Sequence, residues 1–456
     1  MKNRRYTTYT QRYAPLLGVF SLAFLVRLAY NLTAGHNYIP KDDAALYNNL
    51  AQGLLVQHCY CLINIPHANV SRAPLWPIII AIIYAFTGVH DIYPRLFYCF
   101  LGSGTCLLVY FFARSLFGRR IALFTGFLAA VYTGLFLNDG WLFSESLYTF
   151  LVTALTYSLF LLQTTLSRRS TDKEIDYSRK NIKQWWLLVC GGLALGLASL
   201  TRPNGPLLFS LVVLWGLLLV LTKLATVQAA LRAVLVIGCI ALALILPWTY
   251  RNYRVTHAFI PVALGAGDVL VGAYNDTVLQ NIEGGVGFWV SRDLVRPPIS
   301  VRGHDDWHYT AQDEKRDTDH ALQWMTTHLR DLPYLWGWHF LHMWSPYTLE
   351  PALSIKEYPE RVSSQIISIM MYVMAIPVFV LAATGLVATW QHWKRQLVVV
   401  YLMLAFTVAQ NIAFYANMRF RAPIEPLLVL LVGGTLWWLT SEDSGTLRDR
   451  LQKRKG

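Results

Sequence analysis

The stretch that decides the fold is WLFSESLYTFLVTALTYSLFLL, residues Trp141–Leu162. It is apolar apart from hydroxyl residues and one acid, Glu145. As an α-helix rising about 1.5 Å per residue, it is long enough to cross the roughly 30 Å hydrocarbon core of a membrane. Because an unpaired carboxylate about one turn inside a membrane is costly, Glu145 should pair with a cation, bind a metal or face a cavity.

The composition of the whole chain agrees with a membrane protein. Of its 456 residues, 55% are hydrophobic and only 14% are charged, yet the formal net charge is +13. Basic chains often bind nucleic acid, but such proteins are usually rich in charge, and an ordinary soluble domain is about one quarter charged. The composition also excludes disordered, collagen-like and disulfide-scaffold classes. We therefore expect an all-α polytopic membrane protein without a nucleic-acid partner.

Ten stretches, including the first, have the length and composition of membrane spans. They are Ala14–Leu32, Leu96–Phe117, Ile121–Leu137, Trp141–Leu162, Trp185–Leu200, Leu207–Leu221, Ala229–Trp248, Ile366–Ala388, Leu397–Ala416 and Ile424–Leu439. The N-terminal one is apolar for too long, and lacks the small-residue cleavage site, of a removable signal peptide. We expect residues 1–456 to form a single integral-membrane domain.

The distribution of charge orients these spans. If both termini are cytoplasmic, the short segments on that side contain 22 of the 39 lysines and arginines and only six acids. Loops on the cytoplasmic side of membrane proteins carry such an excess of basic residues. The sequence therefore predicts a multi-pass protein of the cytoplasmic membrane with both termini inside, and the net positive charge is explained by orientation.

Two long loops, residues 33–94 and 249–364, then lie on the outer side. Pro74–Gly88 in the first is apolar but only 15 residues long, so we expect a juxtamembrane helix rather than a span. Tyr334–Trp344 in the second is shorter and rich in tryptophan, as interfacial segments are. Residues Asp305–Leu329 have a helical pattern. Aromatic rings stack on sugars, so the tryptophans of the second loop are candidates for acceptor recognition: Trp289, Trp307, Trp324, Trp336 and Trp338.

The first outer loop also contains the residues from which a metal site would be built. His58 and His67 are candidate ligands for a divalent metal, although loop histidines are more often plain surface residues. Cys59 and Cys61 show no zinc-like spacing. A disulfide between residues two apart is strained, so we expect none here.

The clearest charged motif of the first loop is the pair Asp42 and Asp43, which precedes an apolar helical pattern. Such acids could simply cap the helix and complement its dipole. Alternatively, one of them is a general base at the membrane surface. Arg72, before the juxtamembrane helix, likewise has a structural and a functional interpretation. Its guanidinium extends to the lipid headgroups, or it binds the phosphate of a substrate.

Four further arginines are expected at outer helix ends. Arg202 lies in a turn between two spans, Arg251 ends the seventh span, and Arg419 and Arg421 precede the tenth. Each alone is typical of an interfacial anchor. Together with Arg72 they could form an anion site facing the carboxylates of Asp42, Asp43 and Glu145.

This set suggests a chemistry. A lipid-linked substrate would enter from the bilayer with its phosphate held by arginine, and a carboxylate would deprotonate an acceptor hydroxyl. Arginine, with or without a divalent metal, would stabilise the departing phosphate. Sugar transfer from a polyprenyl phosphate requires these groups, and a single displacement inverts the anomeric centre.

The sequence contains an ordered series of short motifs: Asp43-Ala44-Ala45-Leu46-Tyr47, Arg72-Ala73-Pro74-Leu75-Trp76, Phe86-Thr87-Gly88, Ser144-Glu145, Leu200-Thr201-Arg202-Pro203, Pro247-Trp248-Thr249-Tyr250-Arg251-Asn252-Tyr253 and Arg419-Phe420-Arg421-Ala422-Pro423. This series resembles the GT-C superfamily of polyprenyl-phosphate-sugar-dependent glycosyltransferases, and the resemblance covers roughly residues 13–438. The superfamily includes protein O-mannosyltransferases and the aminoarabinose transferase of lipid A. Each motif is weak alone; their order and shared outer placement make the match specific.

The resemblance implies roles for three residues. Asp43 is similar to the family's catalytic base, Arg72 to the basic residue that contacts the lipid phosphate, and Glu145 to a second functional acid. Several relatives have Asp-Glu where this chain has Asp42-Asp43, so either aspartate could be the base; the spacing to Tyr47 favours Asp43. The lipid A enzyme has an acid where this chain has Ser71, which argues against metal binding by that route.

The expected function is therefore transfer of a sugar from a polyprenyl-phosphate donor to a lipid, glycan or protein acceptor at the outer face of the membrane. A transporter or lipid flippase is the main alternative, although the sequence has no internal repeat of the kind common in transporters. A polysaccharide polymerase or ligase with a lipid-diphosphate donor is close in chemistry. Neither the sugar nor the acceptor can be deduced from the residues.

Overall fold

The computed structural model describes residues 9–33, 38–63, 65–168, 177–280, 286–298, 309–346 and 364–441. These ranges contain seventeen α-helices. In chain order they are α1 Tyr9–Leu32, α2 Asp42–Val56, α3 Leu75–Thr87, α4 Ile92–Phe117, α5 Arg119–Val131, α6 Thr133–Phe136, α7 Glu145–Arg168, α8 Tyr177–Thr201, α9 Leu208–Leu221, α10 Val227–Thr256, α11 Ala266–Ala273, α12 Asp276–Leu279, α13 Ala311–Thr327, α14 Leu332–Trp344, α15 Ser364–Trp393, α16 Val398–Ala413 and α17 Glu425–Thr440.

Each of the ten predicted spans lies on helical structure. Seven helices are long and apolar enough to cross a membrane, or eight if the bent pair α5–α6 counts as one. The predicted spans Leu207–Leu221 and Leu397–Ala416 correspond to the shorter apolar helices α9 and α16. The protein is thus an all-α, multi-pass membrane protein, as predicted.

The span predicted at Ile121–Leu137 is not one straight helix. The structure bends it by 54° between α5 and α6, where Tyr132 has an extended backbone. A 3-10 turn, Leu137–Gly140, follows α6 and leads into an irregular segment before α7. The consequence is that α7 begins at Glu145, four residues later than predicted, so that this carboxylate lies in the first helical turn.

Among the long apolar helices of the described residues, α7 and α17 are the most buried. About three quarters of the apolar window of α17 is buried, whereas only 17% of that of α1 is, so α1 presents most of its surface outward. In α7, Val152, Leu155 and Leu159 are fully buried. These two helices begin at the same end of the molecule, next to Glu145 and Arg419. Burial of their apolar sides therefore fixes where the charged groups at their starts lie.

The first long loop, residues 33–94, folds against that end of the bundle. Helix α2 begins with Asp42 and Asp43, and α3 is the predicted juxtamembrane helix. Between them lies an antiparallel hairpin of β1 (Cys61–Leu62) and β2 (Ile65–Ala68), which the sequence did not predict. Cys59 and Cys61 form a disulfide, so the expectation that they stay unbridged was wrong.

The described part of the second long loop, residues 249–364, contains α11 to α14. The helix expected within Asp305–Leu329 is α13, and Thr310 starts it with a reciprocal capping box to Asp313. The interfacial segment Tyr334–Trp344 forms most of α14. Residues 281–285, 299–308 and 347–363, including Trp307, lie outside the described residues.

Candidate functional site

Five of the eight predicted site residues meet in one cluster, which we call the acid–arginine cluster: Asp43, Glu145, Arg72, Arg202 and Arg419. They come from five places in the chain: the start of α2, the start of α7, the segment before α3, the end of α8 and the turn before α17. All are at helix ends on one side of the bundle. With three arginines and two carboxylates, the cluster has a net charge of +1.

Asp43 is held by two guanidinium groups. Arg72 Nη2 lies 2.9 Å from Asp43 Oδ1, and Arg419 Nη2 lies 2.9 Å from Asp43 Oδ2. Burial acts to raise the pKa of the Asp43 carboxyl, but the positive charges of Arg72 and Arg419 outweigh it and hold that pKa well below its ordinary value. Asp43 is therefore ionised at neutral pH and retains a 30% exposed side chain that an incoming molecule can reach.

Glu145 is the buried counterpart of Asp43. Its side chain is 1% exposed, and its Oε1 accepts from Arg202 Nη1 at 2.9 Å and from Arg419 Nε. The expectation that Glu145 pairs with a cation is thus confirmed. Since Arg419 bridges both carboxylates, Glu145 fixes the orientation of the guanidinium that faces Asp43.

The arginines are further held by aromatic rings. The Arg419 guanidinium lies 3.9 Å from the centroid of Phe143, and that of Arg202 lies 5.1 Å from the centroid of Phe420. Stacking over a ring face stabilises a cation without using its hydrogen-bond donors. Among the described contacts, Nη1 of Arg419 and Nη2 of Arg202 make no hydrogen bond to the protein, so they are the donors left for an anion.

Two asparagines that the sequence analysis did not single out position these arginines. Asn69 Oδ1 accepts from the backbone N–H of Ser71 and Arg72, and Asn417 Oδ1 accepts from the backbone N–H of Arg419. Each asparagine comes two or three residues before its arginine. Asn residues in that position favour tight turns of this kind, which is the sequence signal that would have revealed them.

The irregular segment before α7 is fixed by side chains of three other elements. Trp76 Nε1 donates to Leu142 O at 2.8 Å, Tyr98 OH donates to Phe143 O at 2.6 Å, and Tyr38 OH accepts from Leu142 N–H. The hydroxyl of Tyr47 lies 3.4 Å from Ser144 Oγ, next to Glu145. Trp76 and Tyr47 belong to the sequence motifs, and their place here gives those motifs a physical reason.

The other three predicted site residues lie elsewhere. Arg251 donates to the backbone oxygens of Asn69 and Tyr60 at 2.7 and 3.3 Å and so ties the end of α10 to the first loop. Arg421 is buried, pairs with Glu425 and donates to the Met343 and Ser345 carbonyls at the end of α14. Asp42 is exposed at the start of α2 and lies outside the cluster.

Within the described ranges, no group of three or more His, Cys, Asp or Glu side chains is arranged to hold a metal ion. The carboxylates of the acid–arginine cluster are instead occupied by arginine. His58 and His67, the candidate ligands from the sequence, remain untested in that role.

The tryptophans of the second loop mostly contact their own loop. Trp289 Nε1 donates to Asp268 O, Trp324 Nε1 donates to Asp276 Oδ1 at 2.7 Å, and Trp336 Nε1 donates to Tyr274 OH at 3.0 Å. Trp338 stacks on His342. Their role in acceptor recognition stays a prediction.

Comparison with known proteins supports the resemblance. The family model for dolichyl-phosphate-mannose-protein mannosyltransferase matches residues 74–260. This range includes Glu145 and Arg202 of the cluster and ends beyond Arg251. A search of the curated proteins found no match.

Two solved structures of an archaeal enzyme have a similar fold. The oligosaccharyltransferase AglB from Archaeoglobus fulgidus, in complex with an inhibitory peptide and a dolichol-phosphate, superimposes with a TM-score of 0.57 at 14% identity over 98% of this chain. Its apo form gives a TM-score of 0.55 at 13% identity over 98% of this chain. The chain has a GT-C fold. The predicted resemblance to GT-C glycosyltransferases is confirmed.

This chain corresponds to only part of those structures. The chain spans about half the length of the archaeal enzymes it matches, 52% and 53% of theirs. A match to ArnT from Cupriavidus metallidurans bound to undecaprenyl phosphate has a TM-score of 0.41 at 14% identity, covering 94% of this chain and 78% of that one.

Proposed function

We propose that the protein is an inverting glycosyltransferase. It moves a sugar from a polyprenyl-phosphate-linked donor to a lipid, glycan or protein acceptor at the outer face of the cytoplasmic membrane, with both termini inside. The observation that supports this most strongly is the acid–arginine cluster, which combines a reachable ionised carboxylate with three arginines at the helix ends. The excess of basic residues at the opposite end of the helices supports an outer position for the cluster.

The chemistry is a single displacement. The acceptor oxygen forms a bond to the anomeric carbon while the bond from that carbon to the phosphate oxygen breaks. The acceptor proton passes to Asp43, and the polyprenyl phosphate leaves with its charge stabilised by Arg72 and Arg419. Because the donor phosphate competes with Asp43 for these arginines, its binding also loosens the ion pairs that restrain the carboxylate.

Glu145 has a positioning role in this proposal. It is buried and bonded to Arg202 and Arg419, so it cannot readily reach an acceptor hydroxyl. It keeps two guanidinium groups aimed at the place where negative charge develops. Arranging such donors before the reaction avoids reorganisation during it.

Transfer of a labelled sugar tests the proposal directly. Purified protein in lipid vesicles is expected to convert a polyprenyl-monophosphate sugar into a glycosidic product with inverted configuration. A cluster with a net charge of +1 balances a phosphodiester better than a diphosphate, so the matching diphosphate donor should react more slowly. Substrate counterflow without any glycosidic product would contradict the proposal and favour a transporter or flippase, and preference for the diphosphate would favour a polymerase or ligase.

The pH dependence tests the role of Arg72. In Arg72→Gln, one of the two cations that depress the pKa of Asp43 is lost while its burial remains, so that pKa rises. A base must be ionised to accept a proton. As the pH is lowered, Arg72→Gln should therefore lose activity at a higher pH than the wild type does. The measurement is kcat/KM against pH for Arg72→Gln, with Arg254→Gln, which lies outside the cluster at the end of α10, as the control. An unmoved acid limb in Arg72→Gln would exclude this coupling.

A further inference from the structure

A large cavity lies between α9, α15, α16 and α17, away from the acid–arginine cluster. Its volume is about 1240 Å³. The walls are apolar along most of their length, with Phe379 and Trp344 towards one end and Leu404, Ala405 and Val408 along α16. An apolar, elongated cavity inside a membrane bundle fits a hydrocarbon chain.

The polar groups of the cavity are concentrated at its other end. Thr222, Gln391, Lys394, Arg395 and Tyr401 line it there, at the end of α9 and around the turn from α15 to α16. Lys394 and Arg395 are exposed. Within the described ranges neither has a carboxylate partner. One end of the cavity thus has two cations that no carboxylate of the described residues neutralises.

This basic end is far from the acid–arginine cluster. The backbone oxygen of Arg395 accepts from Gln163 Nε2 at 2.7 Å, and Gln163 is eighteen residues along α7 from Glu145. At about 1.5 Å per residue the two ends of α7 are roughly 27 Å apart. A donor whose phosphate is bound by Arg72 and Arg419 leaves Lys394 and Arg395 without an anion.

We propose that this cavity binds an anionic phospholipid of the leaflet on the Lys394 side, with its phosphate between Lys394 and Arg395 and an acyl chain along α15 and α16. Basic pockets between transmembrane helices bind anionic headgroups in this way. The ring of Trp390 and the hydroxyl of Tyr401 lie at the same level, where amphipathic aromatic residues face the headgroups of a bilayer. The lipid is distinct from the donor and bridges α15 to α16 across the cavity.

The experiment measures lipid retention and does not depend on transferase activity. Full-length protein is exchanged into nanodiscs of phosphatidylcholine with one fifth phosphatidylglycerol, and the lipids that remain after detergent extraction are counted by native mass spectrometry. The wild type is expected to retain phosphatidylglycerol, and Lys394→Gln/Arg395→Gln should retain it about tenfold less. The matched control is Arg120→Gln/Arg232→Gln, which removes the same charge from exposed positions outside the cavity lining.

A second variant tests the apolar part of the cavity. Ala405→Trp places a large ring in it and should reduce phosphatidylglycerol retention while leaving both cations in place. Equal retention of phosphatidylglycerol by the two charge variants would overturn the proposal. Lys394 and Arg395 would then serve only to orient the helices in the membrane. Loss of polyprenyl-donor binding in Ala405→Trp with phosphatidylglycerol unchanged would also overturn it, since the cavity would then belong to the donor tail.

Discussion

Asp43→Asn is expected to lower kcat by about 10²- to 10⁴-fold, the range typical for loss of a general base. The substitution keeps the shape of the side chain but removes its ability to accept a proton. It also leaves Arg72 and Arg419 without their carboxylate partner at this position, so the net charge of the cluster rises from +1 to +2. Donor binding should therefore be unchanged or tighter, and the defect should appear in kcat rather than in KM for the donor.

Asp42→Asn is the matched control, because Asp42 is the neighbouring acid and is exposed outside the cluster. It should retain activity within a few-fold of the wild type. The measurement is initial-rate transfer with both variants at saturating acceptor, together with equilibrium binding of the donor. Equal losses in the two variants, or full turnover in Asp43→Asn, would remove Asp43 as the base.

The sequence was sufficient to predict the membrane helices. A long apolar run such as Trp141–Leu162 can cross a bilayer only as a helix, since every backbone polar group must be hydrogen-bonded within the segment there. The excess of basic residues on one side then predicts which helix ends meet. That combination is why Asp43, Glu145, Arg72, Arg202 and Arg419 could be assigned to one face before their contacts were known.

Specific pairings could not be predicted in this way. Arg419 bridges Asp43 and Glu145, which are separated from it by 376 and 274 residues. Nothing in local pattern distinguishes it from Arg421 two residues later, which pairs with Glu425 instead. The difference comes from the 3-10 turn Met418–Ile424, whose tight winding directs the two side chains to different partners.

The bend between α5 and α6 has a similar origin. Hydropathy continues across Val131, Tyr132 and Thr133, so the sequence predicts one span. In the structure the hydroxyl of Tyr132 donates to Glu425 Oε2 at 2.9 Å, and this contact with a helix almost 300 residues later accompanies the break. A tertiary hydrogen bond of this kind leaves no periodic signal in the sequence.

Asp139→Asn is expected to lower the free energy of unfolding by about 3–5 kcal/mol, because it leaves a buried arginine without its counter-ion. Arg27 lies inside α1, and its Nε is 2.6 Å from Asp139 Oδ2; the two side chains are 1% and 5% exposed. Arg27 also donates to the Ala23 and Ala130 carbonyls. The single substitution therefore leaves the positive charge of Arg27 buried without its ion-pair partner.

The double variant Arg27→Met/Asp139→Leu separates the contribution of the two charges from that of the surrounding packing. With both charges gone, no desolvated ion remains, and apolar replacements of buried ion pairs are often neutral or stabilising. We therefore expect it to unfold at a higher denaturant concentration than Asp139→Asn in mixed micelles, and the single variants Arg27→Met and Asp139→Leu complete the double-mutant cycle. Arg254→Met, an exposed site, controls for loss of a positive charge.

We expect a large coupling energy between Arg27 and Asp139 because the backbone of α4 approaches both side chains closely. A Cβ added at Gly102 of α4 would lie 2.0 Å from Asp139 Oδ2 and 2.4 Å from Arg27 Nε, so the pair occupies space that a side chain would otherwise fill. The turn that contains Asp139 is joined to Glu145 by the irregular segment before α7, so the same ion pair supports the start of α7. If Asp139→Asn were as stable as the wild type and the double variant less stable, packing and not charge would hold this junction together.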